Sequence, residues 1–211
     1  MNPHKKISQL NQLRRLAKKP KELRLAAESW RSAFQILIAT ILSARTRDET
    51  TIPIAEKLFK KYPNAKSLSK APLSAIQKII RPVNFYKNKS KNISNCAKDI
   101  VKNYNSKVPE DINELIKLPG VGRKTANVFL SEVGYDSIGV DTHVSHISQK
   151  IGWTKNKNPK KIEEDLKKLF PKRYWAKINL TLVRFGKTHT NKKEKDDLIN
   201  QVKKVKQSCK T

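Results

Sequence analysis

Two side chains in this sequence are well suited to covalent chemistry, a lysine at position 124 and an aspartate seventeen residues later at 141. Lys124 falls in the first turn of a predicted helix that follows a glycine-containing turn. The positive end of a helix and removal from water both disfavour the ammonium form, so a lysine there can act as a neutral amine nucleophile. An ordinary surface lysine is the alternative, since the chain contains 46 lysines and arginines.

Asp141 stands in the segment Val140-Asp141-Thr142-His143, where we expect it to cap the start of the next helix. A carboxylate held beside an amine can take its proton, or it can stabilise positive charge that develops as a bond breaks. A cap with a purely structural role is the alternative.

The turn before Lys124 has the sequence LPGVG, residues 118–122. Its glycines let backbone N–H groups face outward with no side chain in the way, and the helix that follows adds the positive end of its dipole. The turn therefore predicts a phosphate-binding site, and an ordinary connection between two helices is the alternative. The expected contact residues are Leu118, Gly120, Val121, Gly122 and Arg123.

The net charge also points towards a polyanion. The formal charge is +28 and the sequence pI is about 10.2. Nucleic acid is the commonest polyanion in a cell, so it is the expected partner. A solvated basic surface, or a bias in composition, is the alternative.

Helical periodicity runs through most of the chain, and no alternating strand pattern is evident, which predicts an all-α fold. Segment 34–42 (FQILIATIL) is apolar almost all round and should lie at the centre of a core. An amphipathic first helix around Leu13 should end near Pro20, and a helix around Leu58 should end before Tyr62. Further helices are predicted at 72–80, 87–104, 110–117, 122–133, 141–151, 158–170, 173–186 and 192–207.

The two cysteines, Cys96 and Cys209, lie far apart without CxxC spacing, so neither a disulfide framework nor a sulfur-ligated metal is expected. Cys96 falls in an apolar helical pattern and should lie in the core. No apolar run reaches the length of a membrane span, and the N-terminus lacks a signal-peptide pattern. We therefore expect a cytoplasmic protein that does not contact membranes.

Taken together, LPGVGRKTANVFL (118–130) and VDTH (140–143) resemble the helix-hairpin-helix DNA glycosylase superfamily, and most closely endonuclease III. A weaker likeness in IATILSA (38–44) and FYKNK (85–89) extends the resemblance over about residues 30–186.

The resemblance implies two helical domains that flank a DNA-binding cleft. Residues 27–135 would form a six-helix domain that includes the hairpin, and residues 1–26 and 136–211 would form the second domain. Lys124 would be the Schiff-base nucleophile and Asp141 the catalytic carboxylate. A lysine at this position implies combined glycosylase and β-lyase action, here on oxidised pyrimidines in damaged duplex DNA. We expect a monomer associated with the nucleoid.

A nucleotide turned out of the duplex leaves a space to be filled. In the family this is done from two loops, which here correspond to Arg45 and to Val83 or Phe85. The alternatives are an arginine that contacts phosphate and an aromatic side chain in the core. His143, beside Asp141, is also an expected DNA contact. His143 with His146 as metal ligands is disfavoured, because no third ligand stands at a useful spacing.

The chain departs from the family in three places. Most endonuclease III relatives carry a four-cysteine iron–sulfur cluster near the C-terminus, but Thr190 stands where the first cysteine would fall and only Cys209 follows. The cluster is expected to be absent, with Leu198, Ile199, Val202 and Val205 packing the tail onto the body, and a disordered basic tail is the alternative. Arg45 replaces a frequent Gln and His146 a usual Arg, so the lesion preferred stays open.

Two other functions fit the same residues. One is a noncatalytic helix-hairpin-helix module that binds DNA and cuts nothing. The other is a glycosylase for mismatched or alkylated bases, which would depend on Asp141 but not on Lys124.

Overall fold

The computed structural model describes residues 3–18 and 23–204, with side chains from residue 8 onward. Every regular element in these ranges is helical, which confirms the predicted all-α fold. The helices are α1 (Pro3–Ala17), α2 (Ala33–Ser43), α3 (Asp48–Lys61), α4 (Ala65–Ser69), α5 (Leu73–Ile80), α6 (Tyr86–Asn103), α7 (Ile112–Leu115), α8 (Arg123–Glu132), α9 (Thr142–Ile151), α10 (Pro159–Leu169), α11 (Trp175–Thr188) and α12 (Lys192–Lys203). A 3₁₀ turn at Lys172–Tyr174 precedes α11.

The differences from the predicted helices lie at the ends and in the short elements. Helix α3 extends back from Leu58 to Asp48, because Asp48 and Glu49 suit the positive end of a helix. The hairpin helix expected at 110–117 is shortened to α7, and the single-turn helix α4 was not predicted. Helix α12 ends at Lys203, and the predicted continuation from 205 to 207 lies outside the described residues.

Short polar side chains set several helix starts. Ser32 accepts a hydrogen bond from Gln35 N at the start of α2, and Asn64 forms a capping box with Ser67 at α4. Asn158 and Asn191 cap α10 and α12. Each cap satisfies N–H groups that the first helical turn leaves without a helical partner.

The chain divides into two compact units. One runs from Arg24 to Val133, and the other combines the segment up to Leu23 with the chain from Gly134 onward. The boundaries predicted from the sequence lie at 27 and 135.

In the 24–133 unit, helix α2 lies at the centre of the core, as its all-round apolar sequence predicts. Leu37, Ile38 and Leu42 are fully enclosed, and α2 packs on α3, α6 and α8. The amphipathic helix α6 packs in turn on α4 and α5. This packing holds the start of α8, and with it Lys124, on a rigid core.

In the other unit, helix α11 packs on α1 and α9, and α12 packs on α9 and α1. Trp153, which follows α9, contacts both α1 and the end of α10. Its Nε1 donates to Gln12 Oε1 at 2.8 Å, and its ring meets Phe170 edge to face. Ile199 and Val202 of α12 are buried, so the tail is a packed helix up to Lys203, while Val205 lies outside the described residues. These contacts fix α9, the helix that Asp141 begins.

None of the helices described for residues 3–18 and 23–204 is long and apolar enough to cross a membrane.

Candidate active site

The predicted hairpin consists of α7, a tight turn and α8. Leu118 and Val121 turn their side chains into the core, and Val121 N donates to Leu118 O at 3.1 Å. These contacts close the turn. Neither side chain is available to a ligand, and the Val121 N–H is already bonded, so a ligand could contact these two residues only through their remaining backbone atoms. The amides to consider for phosphate are therefore those of Gly120, Gly122 and the first turn of α8.

The two glycines of the turn serve different purposes. Gly120 has φ +81°, and an added Cβ would stand 2.9 Å from Asn92 Cβ, so the fold itself requires glycine there. Gly122 has an ordinary φ, and an added Cβ would meet nothing within 4 Å. Nothing in the described packing calls for glycine at 122, whereas close approach of an external ligand would call for it.

Lys124 is the second residue of α8 and its side chain is exposed. The N-cap is Gly122, so no side chain caps this helix, and its first turn contains no acidic residue. The positive end of α8 therefore has neither a capping side chain nor an acidic residue in its first turn, which favours binding of an anion there. Arg123 is exposed next to it and adds a second cation.

Asp141 caps α9 as the sequence predicts, because its Oδ1 accepts from Val144 N at 2.8 Å. The side chain is half-buried and borders an open depression of about 410 Å³. The other lining residues are Val140, Thr142, Ser145, His146, Gln149 and Pro159. A carboxylate fixed by a backbone N–H at the rim of such a depression can face a ligand without reorganising.

His143 lies one helical position beyond Thr142 and packs against α11. An added Cβ on Gly186 would clash with its ring, so α9 and α11 approach closely here. Burial lowers the pKa of His143, partly opposed by the nearby Asp141 carboxylate. Burial therefore favours the neutral ring, which packs against α11, and the DNA contact of His143 stays a prediction.

His146, on the same helix, is tied to α12. Its Nε2 lies 3.0 Å from Asp196 Oδ1, and Lys150 Nζ donates to Asp196 Oδ2 at 2.9 Å. The hydrogen bond from Lys150 lowers the pKa of Asp196. The described residues contain no cluster of three or more His, Cys, Asp or Glu side chains that could hold a metal ion.

Arg45 and Phe85, predicted from separate loops, lie together in the structure. The Arg45 guanidinium stands over the Phe85 ring at 4.8 Å, and 55% of the Phe85 surface is exposed. Val83, the alternative to Phe85, is 1% exposed and part of the core. A core side chain cannot enter DNA, so the Val83 alternative is dropped in favour of Phe85.

Sequence reasoning missed the residues that support this pair. Lys89 Nζ donates to Leu42 O and Ala44 O, and Asn84 Nδ2 donates to Arg45 O at 2.6 Å. A signal for Lys89 was available, since it stands four residues before Ile93 on the apolar face of α6. A lysine on a buried helix face requires hydrogen-bond acceptors, so this position indicates that Lys89 has specific partners.

The site residues fall into three groups. The hairpin residues and Lys124 lie together at the start of α8, and the Arg45–Phe85 pair lies elsewhere in the same unit. Asp141 and His143 begin α9, in the other unit.

The donor set for a four-cysteine cluster does not fit this chain. Thr190 lies two residues after the end of α11, and Cys96 is buried in α6. Burial and the neighbouring Asp99 raise the pKa of Cys96 to about 12, so its thiol does not ionise near neutral pH. Cys209 lies outside the described residues. Two thiols cannot replace four thiolate ligands.

The amino-acid sequence of this chain is similar to those of known DNA repair proteins. Residues 38–172 match the model of the HhH-GPD superfamily of base excision DNA repair proteins. The chain is 43% identical over 156 residues to endonuclease III of Thermotoga maritima, and 38% identical over 160 residues to endonuclease III of a Synechocystis strain. The first alignment covers 73% of each chain, and the second covers 75% of this chain and 73% of the relative.

The fold of this chain is also similar to that of a solved structure. A structure of a trapped covalent intermediate of endonuclease III with DNA superposes with a TM-score of 0.81 at 34% identity. That superposition covers 88% of both chains.

Proposed function

Since this chain belongs to the HhH-GPD superfamily of base excision DNA repair proteins, we propose that it removes oxidised pyrimidines from damaged duplex DNA through an imine on Lys124. It is a DNA-binding base-excision glycosylase with abasic-site lyase activity. The observation that carries the proposal for Lys124 is its exposed position in the first turn of α8, directly after the glycine turn and at a helix start that no side chain caps.

The proposed reaction forms one bond for each bond it breaks. The neutral Lys124 amine bonds to C1′ of the sugar as the bond from C1′ to the base breaks, and the base leaves with a proton. Opening of the sugar ring then breaks the bond from C1′ to O4′, the O4′ atom takes a proton and becomes a hydroxyl, and the protonated imine that results acidifies the hydrogens on C2′. Loss of one C2′ proton expels the 3′ phosphate and nicks the strand.

Asp141 is the source of the negative charge that the proposed reaction needs. Its carboxylate can take a proton from the amine, or stabilise positive charge on the sugar as the base departs. The hydrogen bond from Val144 N holds one oxygen in place, and the depression beside it leaves room for a ligand. These properties support a role for Asp141 in base release.

The hairpin holds the DNA backbone in this proposal. We expect Gly122→Ala to keep nearly the wild-type melting temperature but weaken binding to lesion and undamaged duplexes about equally, by roughly tenfold, because a phosphate contact carries no sequence information. Gly120→Ala is the matched control for the fold. It should cost about 1–3 kcal/mol of unfolding free energy through its left-handed backbone and the contact with Asn92.

Thermal unfolding and titration of labelled duplexes measure both effects. Unchanged DNA affinity in Gly122→Ala would remove the turn from the phosphate contact. Equal loss of stability in the two variants would show instead that Gly122 serves the fold.

The substrate is tested with a panel of duplexes that carry one lesion each, scored separately for base loss and strand cleavage. We expect oxidised pyrimidines and abasic sites to be processed with coupled cleavage. Release of mismatched or alkylated bases without cleavage would support the alternative glycosylase. Binding with steep salt dependence and no product on any duplex would leave only a DNA-binding module.

The protein is also proposed to work as a monomer at the nucleoid, without an iron–sulfur cluster. Support for the last point comes from α12, which occupies the chain after Thr190 and is held by Ile199, Val202 and the ion pair from Asp196 to Lys150. These apolar and ionic contacts hold α12 in place up to Lys203.

A further inference from the structure

A buried lysine lies close to the Arg45–Phe85 pair. Lys89 is 6% exposed and stands on the apolar face of α6, in line with Ile93, Cys96 and Ile100. Burying an ammonium group is unfavourable unless each of its hydrogens finds an acceptor. The hydrogen-bond acceptors of Lys89 therefore indicate its role.

All three acceptors belong to the end of α2 and the loop that follows it. Lys89 Nζ lies 2.6 Å from Leu42 O, 2.5 Å from Ala44 O and 3.0 Å from Thr46 Oγ1. The last carbonyls of a helix lack helical partners, and a cation at that end also interacts favourably with the dipole. Lys89 thus ties residues 42–46 to the first turn of α6.

Arg45 lies inside the tied segment and Phe85 directly before α6. Both have a left-handed backbone, with φ +56° at Arg45 and φ +60° at Phe85. This conformation is unfavourable for residues with a side chain and persists only where the surroundings enforce it. Lys89 holds one side of the arrangement, and Asn84 holds the other through its bond to Arg45 O.

We propose that Lys89 is a positioning residue, which holds the Arg45–Phe85 pair in the exposed arrangement that fills the space left when a damaged nucleotide turns out of duplex DNA. The inference rests on the proposed function. It adds that the pair is built by a lysine that touches neither the base nor the sugar. Burial lowers the pKa of Lys89 to about 8, so at neutral pH the ammonium form still offers three hydrogens to three acceptors.

The test compares two substrates with the same sequence and the same abasic site, one a duplex and one a single strand. A space between stacked bases exists only in the duplex, so the pair is needed only there. Lys89→Met keeps an unbranched side chain that is one atom shorter, and it removes the three N–H donors. We expect it to slow duplex cleavage on the order of 10- to 100-fold and to leave single-strand cleavage within about twofold.

Three further variants make the comparison decisive. Lys91→Met, at an exposed position two residues along α6, should match wild type on both substrates. Phe85→Ala should reproduce the duplex-selective loss. Asn84→Ala removes the second anchor at an exposed position, and it replaces Lys89→Met in the comparison if that variant does not fold, as judged by circular dichroism.

A loss shared equally by both substrates in Lys89→Met would mean a general structural role and would overturn the inference, as would wild-type rates on the duplex. A Phe85→Ala variant with full duplex activity would overturn it as well. Failure of the proposed function looks different, because the wild-type protein would then cleave neither substrate.

Discussion

Replacing Lys124 with alanine should stop strand cleavage at abasic sites, lowering the single-turnover rate by about 10³-fold or more, as expected when a nucleophile is removed. No other group is proposed to form the bond to C1′, so the imine cannot form. The fold should be unaffected, since position 124 is exposed and alanine is a favourable helix residue. Single-turnover assays on a duplex with one abasic site measure the effect.

Lys98→Ala is the matched control for this variant. Lys98 is an exposed lysine in α6 and carries the same charge. Its loss should leave the rate near the wild-type value, although both variants lose one positive charge that attracts DNA. Comparable rates in Lys124→Ala and Lys98→Ala would rule out Lys124 as the nucleophile. Base release that persists in Lys124→Ala after cleavage is lost would favour a glycosylase that uses water.

Asp141→Asn should slow release of a damaged base by about 10²- to 10⁴-fold, the usual range for losing a proton-transfer group, while leaving the protein as stable as the wild type. Asparagine caps a helix as well as aspartate does, so the hydrogen bond from Val144 N is kept and only the charge is lost. Release of a labelled damaged base and thermal unfolding together separate chemistry from folding.

Loss of the cap itself needs its own control. Asp141→Ala removes both the charge and the cap, and should lose about 1 kcal/mol of stability in addition to its activity. Asn191→Ala removes the cap of α12 in the same way, and should lose similar stability with no effect on base release. If Asp141→Asn keeps full activity, Asp141 is a structural cap and another carboxylate must be sought.

The fold and the hairpin could be predicted because their signals are local. The all-round apolar segment of α2 identified the core helix, and Asp141 at the start of a periodic segment identified a helix cap. The spacing of Gly120, Gly122 and Lys124 predicted both the turn and the position of the amine at the start of one helix. Each of these features depends on a few neighbouring residues, which sequence patterns describe well.

The parts that sequence missed depend on residues far apart in the chain. Lys89 stands on the apolar face of α6, but the acceptors that explain its position belong to the end of α2, more than forty residues earlier in the chain. Val83 and Phe85 could not be distinguished because their difference in burial arises only when the loop packs. In the same way, Val121 resembled an available amide until the turn closed on Leu118 O.

Mass mapping of the DNA adduct tests the central role of Lys124 most directly. The wild-type protein is reacted with a duplex containing an abasic site in the presence of borohydride, which reduces an imine to a stable amine, and the digested adduct is sequenced. We predict that the sugar remnant lies on Lys124 and that no adduct forms with Lys124→Ala. An adduct on a different amine in the wild-type protein, or an equal yield from the variant, would contradict this assignment.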